Sequence, residues 1–339
     1  MKTATPALAR AINDRLALDL LLEQGPLTAP QLRDLTGLSR PTVSDLLERL
    51  QSDGLIEVAG ESGEARRGPN ARLYGLVTGR AHVAGVDVRR GRLHVTVADI
   101  TGAEIAATTR EMPGDPDLPS FIAETVTAAA GDHDLHTVAL GVPGLVNPRT
   151  GLTTDSGLPG WRPDLAAALR AVLPADVILE NEVNLATVAE HRLGSAAGHD
   201  DCVLLWLDDG VGAGVVLGGR LRRGASGGAG EVGFLQADGI DYCNFLEEGR
   251  MRALTPEAVA DRITTAVFTL VAVLDPGLVV LGGAAGRAGG PHMAALVQDR
   301  LDARSPARTQ VRATTVEGNP ILQGAVLTAL DRTRDTIYG

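Results

Sequence analysis

The chain has 339 residues, enough for two or three domains with sizeable cores. Hydrophobic residues make up 44% but aromatics only 3%, so those cores must be built from Ala, Val and Leu. No apolar run reaches the roughly 18 to 20 residues that a membrane span needs, Met1 to Arg10 lacks the apolar segment of a secretion signal, and Cys202 and Cys243 are too far apart for a CxxC pair. A membrane protein, a disulfide scaffold and a zinc ribbon are thereby disfavoured, and a cytoplasmic location is expected.

Residues 5–23 carry Ile12, Leu16, Leu20 and Leu21 at helical spacing, with Arg10, Asn13 and Arg15 near the start. In GPLTAPQLRDLTGLSRPTVSDLLERL, Thr28 is placed to cap a helix, with Pro30 in its first turn and Gln31 at the capping-box position. Leu32 and Leu35 form its apolar stripe, and Gly37 ends it. Ser39 caps a second helix whose Val43, Leu46, Leu47 and Leu50 share a face. Two helices joined by a short glycine turn form a helix-turn-helix, whose second helix offers its first residues to base edges in the major groove. Those residues are Ser39, Arg40, Thr42, Val43 and Ser44. Strands expected at 55–58 and 71–76 make a wing with Arg66, Arg67 and Asn70 at its tip, suited to phosphates or a narrow minor groove. The winged helix-turn-helix thus occupies 1–76, and 77–80 reads as a hinge.

The formal net charge of −11 is unusual for a DNA binder. It is unevenly placed: residues 1–75 hold nine Lys or Arg against ten Asp or Glu, a net of −1, leaving −10 for the rest. At physiological salt the repulsion is screened beyond about 8 to 10 Å, so binding should depend on a few placed arginines.

From Ala81 three strands are expected (82–88, 92–98, 104–109), then a helix (119–130), a buried strand (137–142), a helix (165–172), a strand (177–179) and a helix (184–193). The plan repeats: strands at 202–207 and 212–217, a long helix (256–274), a strand (278–281), the loop Gly282-Gly283, a helix (291–301), a strand (311–314) and a helix (321–331). This is a duplicated α/β architecture, with lobes at 81–200 and 201–339 and a cleft between them.

Across residues 81–331 the chain resembles the ROK family of repressors, open reading frames and sugar kinases. The motifs are GVPGLVNPRTG (141–151), LPGW (158–161), ILENEVNLATVAE (178–190), GVGAGVVLGGRLRRGASGGAGEVG (210–233) and LDPGLVVLGG (274–283). The resemblance implies an actin-like, ribonuclease H-like ATPase fold and, with the winged helix ahead of it, the regulator branch. Where family kinases have Gly-Gly-Thr-Lys after the first strand's Asp, this chain has Asp87 followed by Val88-Arg89-Arg90-Gly91, without the paired glycines that cradle phosphate. The family's Asn-Asp pair stands here as Asn181-Glu182, a base with an extra methylene. Both changes argue against phosphoryl transfer. The sugar-holding groups carried over are Asn181, Glu182 and Glu231. Gly157 replaces an upstream Asn, and Phe234 replaces a His and is expected to stack on a sugar face or fill the pocket. The family zinc site is reduced to Cys243, so no cofactor is expected. The implied function is a homodimeric repressor that binds an inverted-repeat operator and senses a carbohydrate-related ligand. A sugar kinase with a DNA-binding head is the alternative from the enzyme class, and a ligand-independent DNA-binding regulator the third.

Overall fold

The structure is a computed structural model that describes residues 6–61 and 71–338. Its first unit runs α1 (Pro6–Gln24), β1 (Leu27–Thr28), α2 (Ala29–Thr36), α3 (Arg40–Ser52), β2 (Ile56–Glu61) and β3 (Arg72–Leu76). The caps are those expected. Gln31 N–H donates to the Thr28 hydroxyl and the Gln31 side chain accepts from Thr28 N–H at 2.8 Å, closing a capping box. Gly37 takes the left-handed conformation (φ 70°) that ends α2, and Ser39 accepts from Thr42 N–H to start α3. β1, too short for any alternation to show in the sequence, pairs with β3, giving a sheet ordered β1-β3-β2.

Two helical faces differ from expectation. Leu35 is 47% exposed, so α2 is held by the buried Leu32 with Ala29 packed beside it. On α1 the buried set is Ala17, Leu18 and Leu21, whereas Ile12 and Leu16 face outward. The helix turns toward α2, α3 and the chain's last residues, a distant partner that spacing alone cannot weigh. Arg15 pairs with Asp19 and, at 3.0 Å, with Asp335.

The expected hinge is one 3₁₀ turn, Thr78–Arg80. Ala81, Ile100 and Tyr338 share a buried cluster with Leu18, Leu21 and Leu47, so the winged helix is docked on the body of the protein. That body lays down β4 (His82–Val88), β5 (Arg92–Asp99), β6 (Glu104–Glu111), α4 (Leu118–Ala130), β7 (Leu135–Val142), α5 (Leu165–Val172), β8 (Asp176–Asn181) and α6 (Glu182–Leu193). The second half adds β9 (Cys202–Leu207), β10 (Val211–Leu217), β11 (Arg220–Leu221), β12 (Gln236–Ala237), β13 (Ile240–Asp241), α7 (Tyr242–Phe245), α8 (Glu248–Met251), α9 (Pro256–Leu274), β14 (Leu278–Gly282), α10 (Gly283–Arg304), β15 (Gln310–Ala313) and α11 (Pro320–Ile337).

The two large sheets have one plan: β6-β5-β4-β7-β8 and β11-β10-β9-β14-β15. In each, hairpin-connected antiparallel strands come first and crossover helices feed parallel strands after them. This repeat is the duplicated actin-like fold. The expected loop at Gly282-Gly283 is in fact the start of α10, which kinks at Gly290 (φ 54°) because Pro291 cannot continue the first segment's hydrogen bonds.

Most consequential is α11. Though last in sequence, it crosses back onto the first sheet and packs on β4, β7 and α6. Glycines admit it: a Cβ on Gly85 would lie 2.7 Å from Val326, one on Gly141 2.6 Å from Ile321, and one on Gly324 would overlap the Leu185 carbonyl.

Candidate functional site

Two sites emerge, joined by α11. The first lies on the winged helix. Because Ser39 caps α3, the side chains of its first turn point away from the core: Arg40 and Ser44 are exposed, and Ser39 and Thr42 share a 2.8 Å hydrogen bond between their hydroxyls. Val43 is a correction. It is 3% exposed and packs with Leu46 and Leu50, so it supports the turn and does not reach bases. Arg66, Arg67 and Asn70 lie outside the described residues. The sequence reading missed Arg72 and Tyr74 of β3, which with Arg33 and Arg40 line one concavity of about 530 Å³ beside α3. Arg40 and Arg72 make no ion pair or hydrogen bond among the described residues. By contrast, Arg33 pairs with Asp34, Arg49 with Asp14, and Arg15 with Asp19 and Asp335. The alternation Arg72-Leu73-Tyr74 was the available signal, since it puts Arg72 on the solvent side of the wing.

The second is a cleft of about 600 Å³ whose walls come from both halves of the body. Asn181, Glu182 and Glu231 all line it, as do Arg89, Arg90, Asp208 and Asp209. Asn181 ends β8 and caps α6. Its Oδ1 accepts from Val183 and Asn184 N–H, and its Nδ2 donates to the Gly144 carbonyl and, at 2.8 Å, to Glu182. Its amide is fully used in holding the cleft wall. Next to it, Glu180 is buried and receives hydrogen bonds from Asn184 and Arg223, which fixes the strand end.

Burial pushes the Glu182 carboxyl up to about 8, against the pull of nearby Arg89. Burial likewise raises Asp208 and Glu231. Asp208 and Asp209, in the turn between β9 and β10, are part of the cleft wall. Behind Arg89, Asp87 is 1% exposed and accepts from Arg89 Nε at 3.0 Å and from Asn319 Nδ2 at 2.8 Å. Arg89 thus sits on the carboxylate at the head of the altered phosphate loop, as its counter-ion. A carboxyl that is mostly protonated near neutrality is a hydrogen-bond donor and a poor general base.

Phe234 is the second correction. It is 79% exposed and absent from the cleft walls, so it neither plugs the pocket nor stacks within it. The 3₁₀ turn Val232–Phe234 buries Val232 and Gly233 and turns the ring outward. The residues present do not fit the family zinc: Cys243 donates to the Val211 carbonyl, and among the described residues no three His, Cys, Asp or Glu gather where a metal could be held.

α11 connects the sites. Asn319, which reaches Asp87, is its N-cap, with Oδ1 accepting from Ile321 and Leu322 N–H. At its other end Arg334 donates twice to the Ile100 carbonyl, Asp335 pairs with Arg15, and the Arg15 guanidinium lies over the Tyr338 ring at 5.6 Å.

The sequence matches the ROK family over residues 83–251 and the MarR family over residues 12–68. The xylose repressor of Bacillus subtilis (strain 168) is 26% identical over 253 residues, which span 70% of this chain and 64% of the repressor, under two thirds of its length. A solved ROK family transcriptional regulator, a homologue of the E. coli MLC protein, superposes with a TM-score of 0.76 at 16% identity over 98% of this chain and 100% of its own. The ROK hexokinase of Thermus thermophilus superposes with a TM-score of 0.62 at 24% identity over 75% of this chain and 99% of its own. These two likenesses are of fold. With both matched regions falling in order on the winged helix and on the cleft-bearing body, this chain belongs to the ROK family and carries a MarR-type winged helix ahead of its ROK domain.

Proposed function

We propose that the protein is a sequence-specific DNA-binding transcription regulator, acting as a repressor, whose cleft senses a carbohydrate-related ligand. The observation that carries this reading is a contrast in arginine use. Among the described residues, Arg40 and Arg72 are free beside the exposed first turn of α3, while Arg89 is paired with Asp87 in the cleft. The head keeps cations for an external anion, and the altered phosphate loop uses one internally. Similarity to a xylose repressor supports the sugar-responsive part. Two protomers would each read one half of an inverted repeat. Ligand in the cleft would act by favouring one arrangement of the heads. α11 offers the route, since Asn319 bonds Asp87, the partner of the cleft's Arg89, while Asp335 touches the winged helix and Arg334 the loop beneath it.

The test is operator binding by mobility shift, with a duplex selected from random DNA. Arg40→Ala and Arg72→Ala are each expected to weaken binding by about 1 to 3 kcal/mol with circular dichroism unchanged. Unaltered shifts in both variants would refute the DNA-reading face. A sugar kinase is the second reading, favoured by the hexokinase-like fold and by Asn181 and Glu182 on the cleft wall. ADP release with any hexose would establish it; none is expected, because Glu182 is held protonated and Asp87 is already neutralised.

A further inference from the structure

The cleft contains two adjacent arginines with different fates. Arg89 is committed to Asp87. Arg90 lines the same cleft and makes no ion pair or hydrogen bond among the described residues. Its guanidinium lies over the backbone of Gly157, where an added Cβ would come within 3.1 Å of Arg90 Nη2. At that position the resemblance to the ROK family implies an Asn, and Gly157 stands in its place. An amide that can both donate to and accept from a hydroxyl has thus been replaced in space by a planar cation with five donors and no acceptor.

The remaining cleft groups narrow what such a cation meets. The Asn181 amide is consumed by the Val183 and Asn184 N–H groups, the Gly144 carbonyl and Glu182. Glu182, Glu231, Asp208 and Asp209 offer oxygens to hydroxyls, as a polyol requires. We propose that the cleft takes a sugar acid, a single sugar ring bearing one carboxylate, and that Arg90 is the residue that selects it by pairing with that carboxylate. A guanidinium matches a carboxylate in two parallel hydrogen bonds. A phosphate dianion is the poorer match, because one free guanidinium faces a wall that also holds Asp208, Asp209 and Glu231. The assignment rests on the ligand-sensing reading above and sharpens it.

Isothermal titration of the full-length protein with glucuronate and galacturonate, their parent hexoses and glucose 6-phosphate tests it. A hexuronate is expected to bind at least about tenfold tighter than its parent, in line with a charge-assisted pair. Arg90→Gln abolishes that preference, and Arg90→Lys restores only part of it. Equal affinity for acid and parent, or a preference untouched by Arg90→Gln, overturns the proposal. Tighter binding of glucose 6-phosphate overturns the choice of carboxylate. If folded protein shifts operator DNA yet binds none of the five, ligand sensing falls along with this inference. If the uronates bind but DNA does not, only the DNA reading falls.

Discussion

Glu182 shows how a single residue decides between chemistries. Its carboxyl ordinarily titrates near 4.5, and burial raises it to about 8 in the folded protein. Between those values the folded protein holds a proton that the unfolded chain lacks. The stability due to this group is therefore fully present below about pH 4.5 and is lost as pH rises through about 8. Glu182→Gln removes the titration, so wild type should lose Tm relative to the variant between pH 5 and 9, by roughly 2 to 4 °C for each kcal/mol of the penalty. A Tm difference that stays flat across that range would show the carboxylate ionised throughout and reopen its use as a base. The family resemblance brought Asn181, Glu182 and Glu231 to one cleft from sequence alone. It could not find Arg90, whose relevance comes from lying over Gly157, 67 residues away by numbering and adjacent only after folding. Val43 was misplaced for the opposite reason: its position in α3 suggested a base contact, but an apolar side chain in phase with Leu46, Leu47 and Leu50 is core.

Among the elements, α11 carries the most long-range consequence and was the least legible. Its amphipathic spacing announced a helix, but nothing local said that it would abandon the second sheet for the first. What permits this is a set of glycines on other elements, Gly85 on β4 and Gly141 on β7, together with its own Gly324 against α6. Gly324 has no positive φ to explain it; its role is close approach alone. Gly324→Ala is expected to cost about 3 kcal/mol or more, because the clash is with backbone that cannot rotate away. Gly318, in the loop before α11, is a useful contrast: its φ is 71° and an added Cβ meets only a Gln323 amide at 3.5 Å, so Ala there is opposed by backbone conformation and not by packing. Chemical denaturation of the two variants checks this. A Gly324→Ala protein as stable as wild type would mean that α6 and α11 can separate, and that α11 is too loosely held to link the cleft to the head. By comparison, the caps at Thr28 and Ser39 were fully readable, since a capping box is written within four consecutive residues.

At the scale of the whole molecule, the duplicated order of strands and helices survived intact because each half repeats its own local signals, whereas the joint between head and body did not read as the tight contact it is. Residues 77–80 look like a linker, yet Ala81, Ile100 and Tyr338 bury themselves among the head's own Leu18, Leu21 and Leu47. The head therefore presents its proposed DNA-reading face while fixed to a strongly acidic body, net −10 outside the first 75 residues. Of the head's arginines, Arg15, Arg33 and Arg49 are paired with carboxylates; Arg40 and Arg72 beside α3, with Arg66 and Arg67 outside the described residues, are the four proposed to meet phosphates. Four phosphate contacts per head limit the slope of log K against log salt to about −3.6 per head, or about −7 for a pair of heads on an inverted repeat. Near 0.15 M salt the screening length is about 8 Å and the body is invisible to most of the duplex, but near 0.01 M it grows to about 30 Å. Fluorescence anisotropy across that range should give a straight line at high salt that flattens at low salt, as repulsion from the body begins to offset the head's attraction. A line that stays straight to 0.01 M would place the acidic surface away from the DNA. A slope much steeper than −7 would mean that Arg33 or Arg49 breaks its ion pair on binding.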